Sequence, residues 1–102
     1  LENGKFRFDF DHMHFTVNGV AAELSKTEQK LLRLLVENQG NTLSRSFLVD
    51  RIWTDGAEYV DENELSVTVK RLRDKLDAQE HIKTIYGLGY KFEWLTDEEN
   101  PR

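Results

Sequence analysis

Four of the six residues from Lys70 to Lys75 are Lys or Arg, in a chain whose formal net charge is −5. Cations at that density suit an anionic partner, and the side chains around them sort by chemistry. The Arg71 guanidinium can address guanine O6 and N7 in a bidentate way, whereas Lys70 and Lys75 suit phosphates as point charges. Asn63 can pair with adenine N6 and N7, and Thr68 can meet a thymine methyl or a phosphate. An outward Val67 is odd for a surface residue and suits apolar contact with a thymine methyl. Arg73 is a further phosphate candidate, but it points sideways, where it could brace against acidic neighbours instead. The blander reading, a solvated helix face with Asp74 and Asp77 as ion-pair partners, stands equally open on these residues alone.

Other groups carry weaker signals. Ser44 and Arg45 begin a helical pattern whose free backbone N–H groups could hold a phosphate. Lys83 and Thr84 could meet backbone phosphates. His12 and His14, two residues apart on an expected strand, could chelate a metal, but two ligands without Cys or clustered carboxylates fall short of the usual set. Gly87-x-Gly89 lacks the strand-to-helix context of a nucleotide loop and reads as turn glycine. No Ser/His/Asp or paired-carboxylate arrangement points to catalysis, so neither an enzyme nor a cofactor is expected.

The elements that must position these residues follow from periodicity. Leu65, Val69, Leu72 and Leu76 recur at i, i+4, i+7 and i+11, one face of a helix over 60–76. At 100° per residue, Asn63, Val67, Lys70, Arg71 and Asp74 point the other way. Upstream, Phe6, Phe8 and Phe10 alternate with polar residues over 5–10, the period of a half-buried strand. Asn18-Gly19 is a hairpin signal between strands over 13–17 and 20–24. Ser25-Lys26-Thr27-Glu28 has the form of a capping box before a Leu-rich helix reaching Asn38, with Gly40 expected as its left-handed C′ residue. Asn41-Thr42-Leu43 reads as an extended link, Ser44 as the cap of a helix over 45–53, and Asp61 as the cap of the third helix. Residues 82–86 and 90–94 read as a hairpin around Gly87-Leu88-Gly89. The expected fold is α+β: an N-terminal antiparallel sheet, three helices and a C-terminal β-hairpin wing, together a winged helix-turn-helix.

Composition bounds the rest. A chain of 102 residues makes one domain, here about 5–94 with a frayed tail over 95–102. The absence of cysteine excludes disulfides and thiolate metal sites and fits a reducing cytoplasm. No apolar run approaches the ~20 residues that span a bilayer. Six acidic residues and one basic one lie between Asp50 and Glu64, against four basic and one acidic from Lys70 to Lys75, so the total charge says little about any one surface. Because it begins at Leu1, the chain is expected to be a domain cut from a longer protein.

Several of these stretches together resemble the DNA-binding effector domain of OmpR/PhoB-family two-component response regulators. The resemblance rests on Leu24-Ser25-x-Thr27-Glu28, Leu43-Ser44-Arg45, Ile52-Trp53, Val67-x-Val69-x-Arg71-Leu72-Arg73-x-Lys75-Leu76 and Ile85-x-Gly87-x-Gly89-Tyr90, and runs from Phe6 to Phe92. It implies a bacterial cytoplasmic regulator with an N-terminal receiver domain outside this chain and a sensor kinase upstream of it. It also implies a third helix in the major groove, a wing at the minor groove, and head-to-tail dimers on direct-repeat half-sites. The loop 54–61, from Thr54 to Asp61, is where some members touch RNA polymerase. Trp53 matches a position whose indole N–H meets phosphate in the family, although core packing accounts nearly as well for it, and Tyr90, a further phosphate candidate, matches a family aromatic. Tyr86 departs from the pattern, because relatives commonly place Arg there for minor-groove insertion; it is kept with the phosphate candidates. Two rivals accompany this reading: a winged helix used as a protein-interaction module, and a small metal-dependent enzyme built on His12 and His14.

Overall fold

The alternation around Phe6 and Phe8 does form a strand, β2 (Phe6–Asp9), in the computed structural model, which describes residues 1–53 and 62–94. It pairs antiparallel with β3 (His14–Val17), which pairs in turn with β4 (Val20–Ala21). Asn18 and Gly19 both take positive φ, 52° and 80°, the primed turn whose twist matches the flanking strands. A two-residue strand, β1 (Glu2–Asn3), adds to the other edge of β2. It is too short to show a period, and nothing in the sequence announces it.

Ser25 caps α1 (Lys26–Glu37) with a complete capping box: the Glu28 N–H donates to Ser25 Oγ at 3.1 Å, and the Ser25 N–H donates to Glu28 Oε1 at 2.9 Å. The helix ends at Glu37 with Asn38 as its C-cap, so the C′ position falls on Gln39, and Gly40, at φ 86°, lies one residue beyond it. Its N–H donates instead to the Phe92 carbonyl at 2.7 Å.

The expected link after α1 is a strand. β5 (Thr42–Ser44) pairs with β7 (Gly89–Phe92), which also pairs with β6 (Ile82–Ile85), giving a three-stranded sheet of order β5-β7-β6. The hairpin turn is Tyr86-Gly87-Leu88, one residue earlier than expected. Gly89 lies inside β7 because a Cβ there would collide with the Leu43 carbonyl of β5. Close approach of two backbones, not turn geometry, requires that glycine.

Between β5 and β6 in the chain come α2 (Arg45–Ile52), capped by Ser44, and α3 (Glu62–Leu76). The expected cap at Asp61, the loop 54–61 and the tail 95–102 fall outside the described residues. Leu65, Val69, Leu72 and Leu76 of α3 are all buried, as their spacing requires. They share one core with Phe6, Phe8 and Phe15 of the first sheet, Leu31, Leu32 and Leu35 of α1, Leu48 and Ile52 of α2, and Ile82 and Phe92 of the second sheet. No helix among the described residues is long and apolar enough to cross a membrane.

Gly89→Ala is expected to cost about 2 kcal/mol or more, because β5 must move to admit the methyl group. Urea unfolding measures the loss; an unchanged midpoint would show that the two strands can separate freely.

Candidate nucleic-acid interface

Burial of the stripe on α3 fixes the rotation of that helix about its axis. Asn63, Val67 and Arg71, four residues apart, then form one outward row. Asn63 and Arg71 are exposed and Val67 is half-buried. Arg71 makes no ion pair among the described residues, whereas Lys70, beside it, pairs with Asp74 at 3.0 Å. Exposed pairs at this spacing contribute only ~0.3–0.5 kcal/mol, so a phosphate can replace Asp74 at little cost.

Thr68 does not join the row. It lies three residues past Leu65 and four before Leu72, on the apolar side, and is 7% exposed. Its hydroxyl donates to the Glu64 carbonyl at 2.8 Å. The expectation of base contact from Thr68 is therefore corrected: its side chain is spent inside the helix.

Arg73 leaves the helix sideways, as expected, but its partners are not acidic. Nε donates to the Ile82 carbonyl and Nη2 to Thr84 Oγ1, both at 2.7 Å, so this guanidinium ties α3 to β6. Arg45, at the start of α2, donates from Nη1 to the Tyr90 hydroxyl at 3.1 Å and approaches Ser66 Oγ at 3.5 Å. The two guanidinium carbons lie 5.1 Å (Arg45) and 5.8 Å (Arg73) from the Tyr90 ring centroid. Tyr90 itself is only 3% exposed. The phosphate roles expected of Tyr90 and Thr84 give way to internal ones, since both hydroxyls serve arginines. The acceptors here are neutral, so they orient the two arginines without cancelling their charge.

Lys75, expected at a phosphate, also turns inward. It stands at the edge of the stripe, one residue before Leu76, and its stem reaches away from Lys70 toward α1. Nζ donates to Glu28 Oε1 at 2.7 Å and to the Glu23 carbonyl at 3.0 Å. Burial pushes the Glu28 carboxyl up, but the hydrogen bonds and charge of Lys75, together with the Ser25 N–H and hydroxyl, outweigh it and hold the group below its ordinary value.

The remaining candidates are scattered. Ser44 is exposed, and its Oγ accepts from the Phe47 N–H at 3.1 Å as a helix cap. Trp53 closes α2 and packs, half-buried, against the core. Lys83 pairs with Glu93 at 2.8 Å, and Lys83 and then Lys91 hold the Glu93 carboxyl below its usual range. Tyr86 stands exposed at the wing tip. His12 is not on the strand with His14: Met13, at φ 55°, turns the backbone between them, and His12 Nδ1 lies 2.9 Å from Asp9 Oδ2. The described residues hold no group of three or more His, Cys, Asp or Glu suited to a metal ion. Two positioning residues escaped the sequence reading. Lys5 grips the carbonyl and carboxylate of Asp77 at the end of α3, and Glu28 anchors Lys75. Each acts over a separation that no local spacing encodes, although the capping box did single out Glu28.

Residues 19–92 match the family described as "Transcriptional regulatory protein, C terminal". The sensory transduction protein RegX3 of Mycobacterium leprae is 44% identical over 98 residues, covering 91% of this chain and 48% of that protein. The chain thus spans about half the length of that relative. Among solved structures, the response regulator DrrB of Thermotoga maritima, an OmpR/PhoB homologue, superposes with a TM-score of 0.82 at 27% identity, over 91% of this chain and 43% of that one. The Klebsiella pneumoniae RstA DNA-binding domain, solved in complex with the RstA box, gives 0.79 at 25% identity, over 93% of this chain and 97% of that one.

Lys75→Met is expected to destabilise the fold by about 2 kcal/mol at neutral pH, because it strands a buried carboxylate. Glu28 titrates lower in the folded chain than in the unfolded one, so its contribution is full above the ordinary carboxylate range and is lost as pH falls through the folded value. The deficit of the variant should therefore shrink in acid. Denaturant titrations at neutral and acidic pH check this, and a deficit independent of pH would contradict it.

Proposed function

The chain belongs to the C-terminal family of transcriptional regulatory proteins, in its OmpR/PhoB winged-helix form, and on that premise we propose that it binds DNA sequence-specifically for a two-component response regulator. The observation that carries this reading is the outward row on α3. A helix pinned by four buried apolar residues presents Asn63, Val67 and Arg71 together, with a guanidinium that no acidic side chain cancels among the described residues. The major groove of B-DNA admits such a helix. In this reading Arg71 addresses guanine, Asn63 adenine, and Val67 a thymine methyl. Lys70 and Arg45 supply charge to phosphates, and Ser44 lies beside them at the start of α2. Arg73 acts by fixing the wing. The β6–β7 hairpin lies near the adjacent minor groove.

The wider setting belongs to the same proposal. A receiver domain and a sensor kinase control the full-length bacterial protein in the cytoplasm. Copies bind head to tail on direct-repeat half-sites, and the loop 54–61 offers a surface to RNA polymerase. The action is docking, without bond chemistry. The second reading, a protein-interaction module, is favoured by one observation, the uncharged and exposed wing tip.

Selection of binding sites from random DNA tests the proposal directly and returns both the half-site and its spacing. For about six phosphate contacts, log affinity should fall against log salt with a slope near −5; no measurable affinity for any duplex would favour the interaction module. Arg71→Ala is expected to cost about 1–3 kcal/mol and relax preference at one base position, whereas Lys70→Ala should weaken all sequences alike. Equal weakening of every sequence by Arg71→Ala would remove it from base readout.

A further inference from the structure

Two large apolar side chains of the second sheet remain in solvent, and they share one turn. Tyr86 is 89% exposed and Leu88 is 63% exposed. No residue from Thr84 to Tyr90 carries a charge at neutral pH. The next cation back along the strand, Lys83, is already paired with Glu93. A hairpin tip of this composition cannot act as a cationic finger.

The tip is also firmly mounted. The Leu88 N–H donates to the Ile85 carbonyl at 2.9 Å and closes the turn. Ile85 pairs with Gly89, which is pressed against the backbone of Leu43 and Ser44. At the other end of β6, Arg73 of α3 holds Ile82 and Thr84. The backbone that carries the two apolar side chains is therefore tied to α3, and little backbone ordering remains to be lost when they make contact.

Resting on the DNA-binding reading above, the inference concerns what this tip would select. A cationic finger favours a narrow A-tract minor groove, where the negative potential is enhanced. An uncharged tip gains nothing from that potential. Apolar side chains gain by packing against deoxyribose and by wedging between bases, which requires a base step that unstacks cheaply. Such steps are pyrimidine–purine, TA or CA/TG. The Tyr86 hydroxyl can in addition donate to the minor-groove acceptors on adenine N3 or thymine O2. We propose that Tyr86 and Leu88 form an uncharged wedge that selects a deformable pyrimidine–purine step beside the half-site met by α3, in place of A-tract readout.

The test uses two duplexes that share one selected half-site and differ only in the flank, TA in one and an A-tract in the other. The parent chain is expected to bind the TA duplex about tenfold more tightly. The double variant Tyr86→Ala/Leu88→Ala should lose that preference and keep the same salt slope. Its melting temperature should match the parent's, since both side chains are exposed. Tyr86→Arg should shift preference toward the A-tract and steepen the salt slope by about 1. Parent binding that is indifferent to the flank, or a double variant that keeps the preference, overturns the wedge while leaving any Arg71-dependent base preference standing. Equal loss on both duplexes, with a weaker dependence of binding on protein concentration, would assign the tip to a second copy of the chain and overturn the wedge. Failure of the parent to bind any duplex overturns the DNA-binding reading and the wedge together.

Discussion

Everything exposed on α3 is set by what the helix hides. Leu65, Val69, Leu72 and Leu76 enter a core to which both sheets and the other two helices contribute, and this leaves the helix no freedom to roll. A roll of one residue position, 100°, in the sense that takes Arg71 into the core would turn Val69 out to solvent. The tethers act on the same degree of freedom. Arg73 holds the wing side, Lys75 ties the opposite flank to α1, and the Lys5–Asp77 contact holds the end of the helix. An interface that depends on a few side chains meeting base edges needs that degree of immobility before it needs charge.

Charge is handled by pairing, which explains how a chain of net −5 can offer a cationic surface. Lys5 and Lys75 are each matched to a carboxylate, Asp77 and Glu28, while Lys83 and Lys91 share that of Glu93. Arg45 and Arg73 are held by hydroxyl, carbonyl and ring acceptors, so their charge persists where α2, α3 and the wing meet. Arg71 is left to the solvent. Salt bridges on the far side of the domain do not weaken this field much at ordinary ionic strength, because screening confines them to their own neighbourhood.

What could be read from the sequence was local. The Asn18-Gly19 turn, the Ser25–Glu28 box and the α3 stripe are each encoded within a few residues, and all three stand as read. The same periodicity placed Asn63, Val67, Lys70 and Arg71 outward. What could not be read depends on distant partners. β5 is a strand only because β7 lies beside it, and Gly89 is a glycine only because Leu43 passes so close. Thr68 and Lys75 were misplaced for a related reason: both sit near the boundary between stripe and surface. There a hydroxyl's preference for its own helix, or a buried carboxylate from another one, decides the outcome. The joint of Arg45, Ser66 and Tyr90 unites three elements and has no signature in any one of them.

The pairing of β5 with β7 has a consequence in time. Thr42 meets Lys91 across roughly fifty intervening residues, whereas the first sheet and α1 close on near neighbours. Contacts of that separation form late. During synthesis the cationic helix emerges before the strand that completes the second sheet, so a nascent or truncated chain carries the charge without the mounted wing.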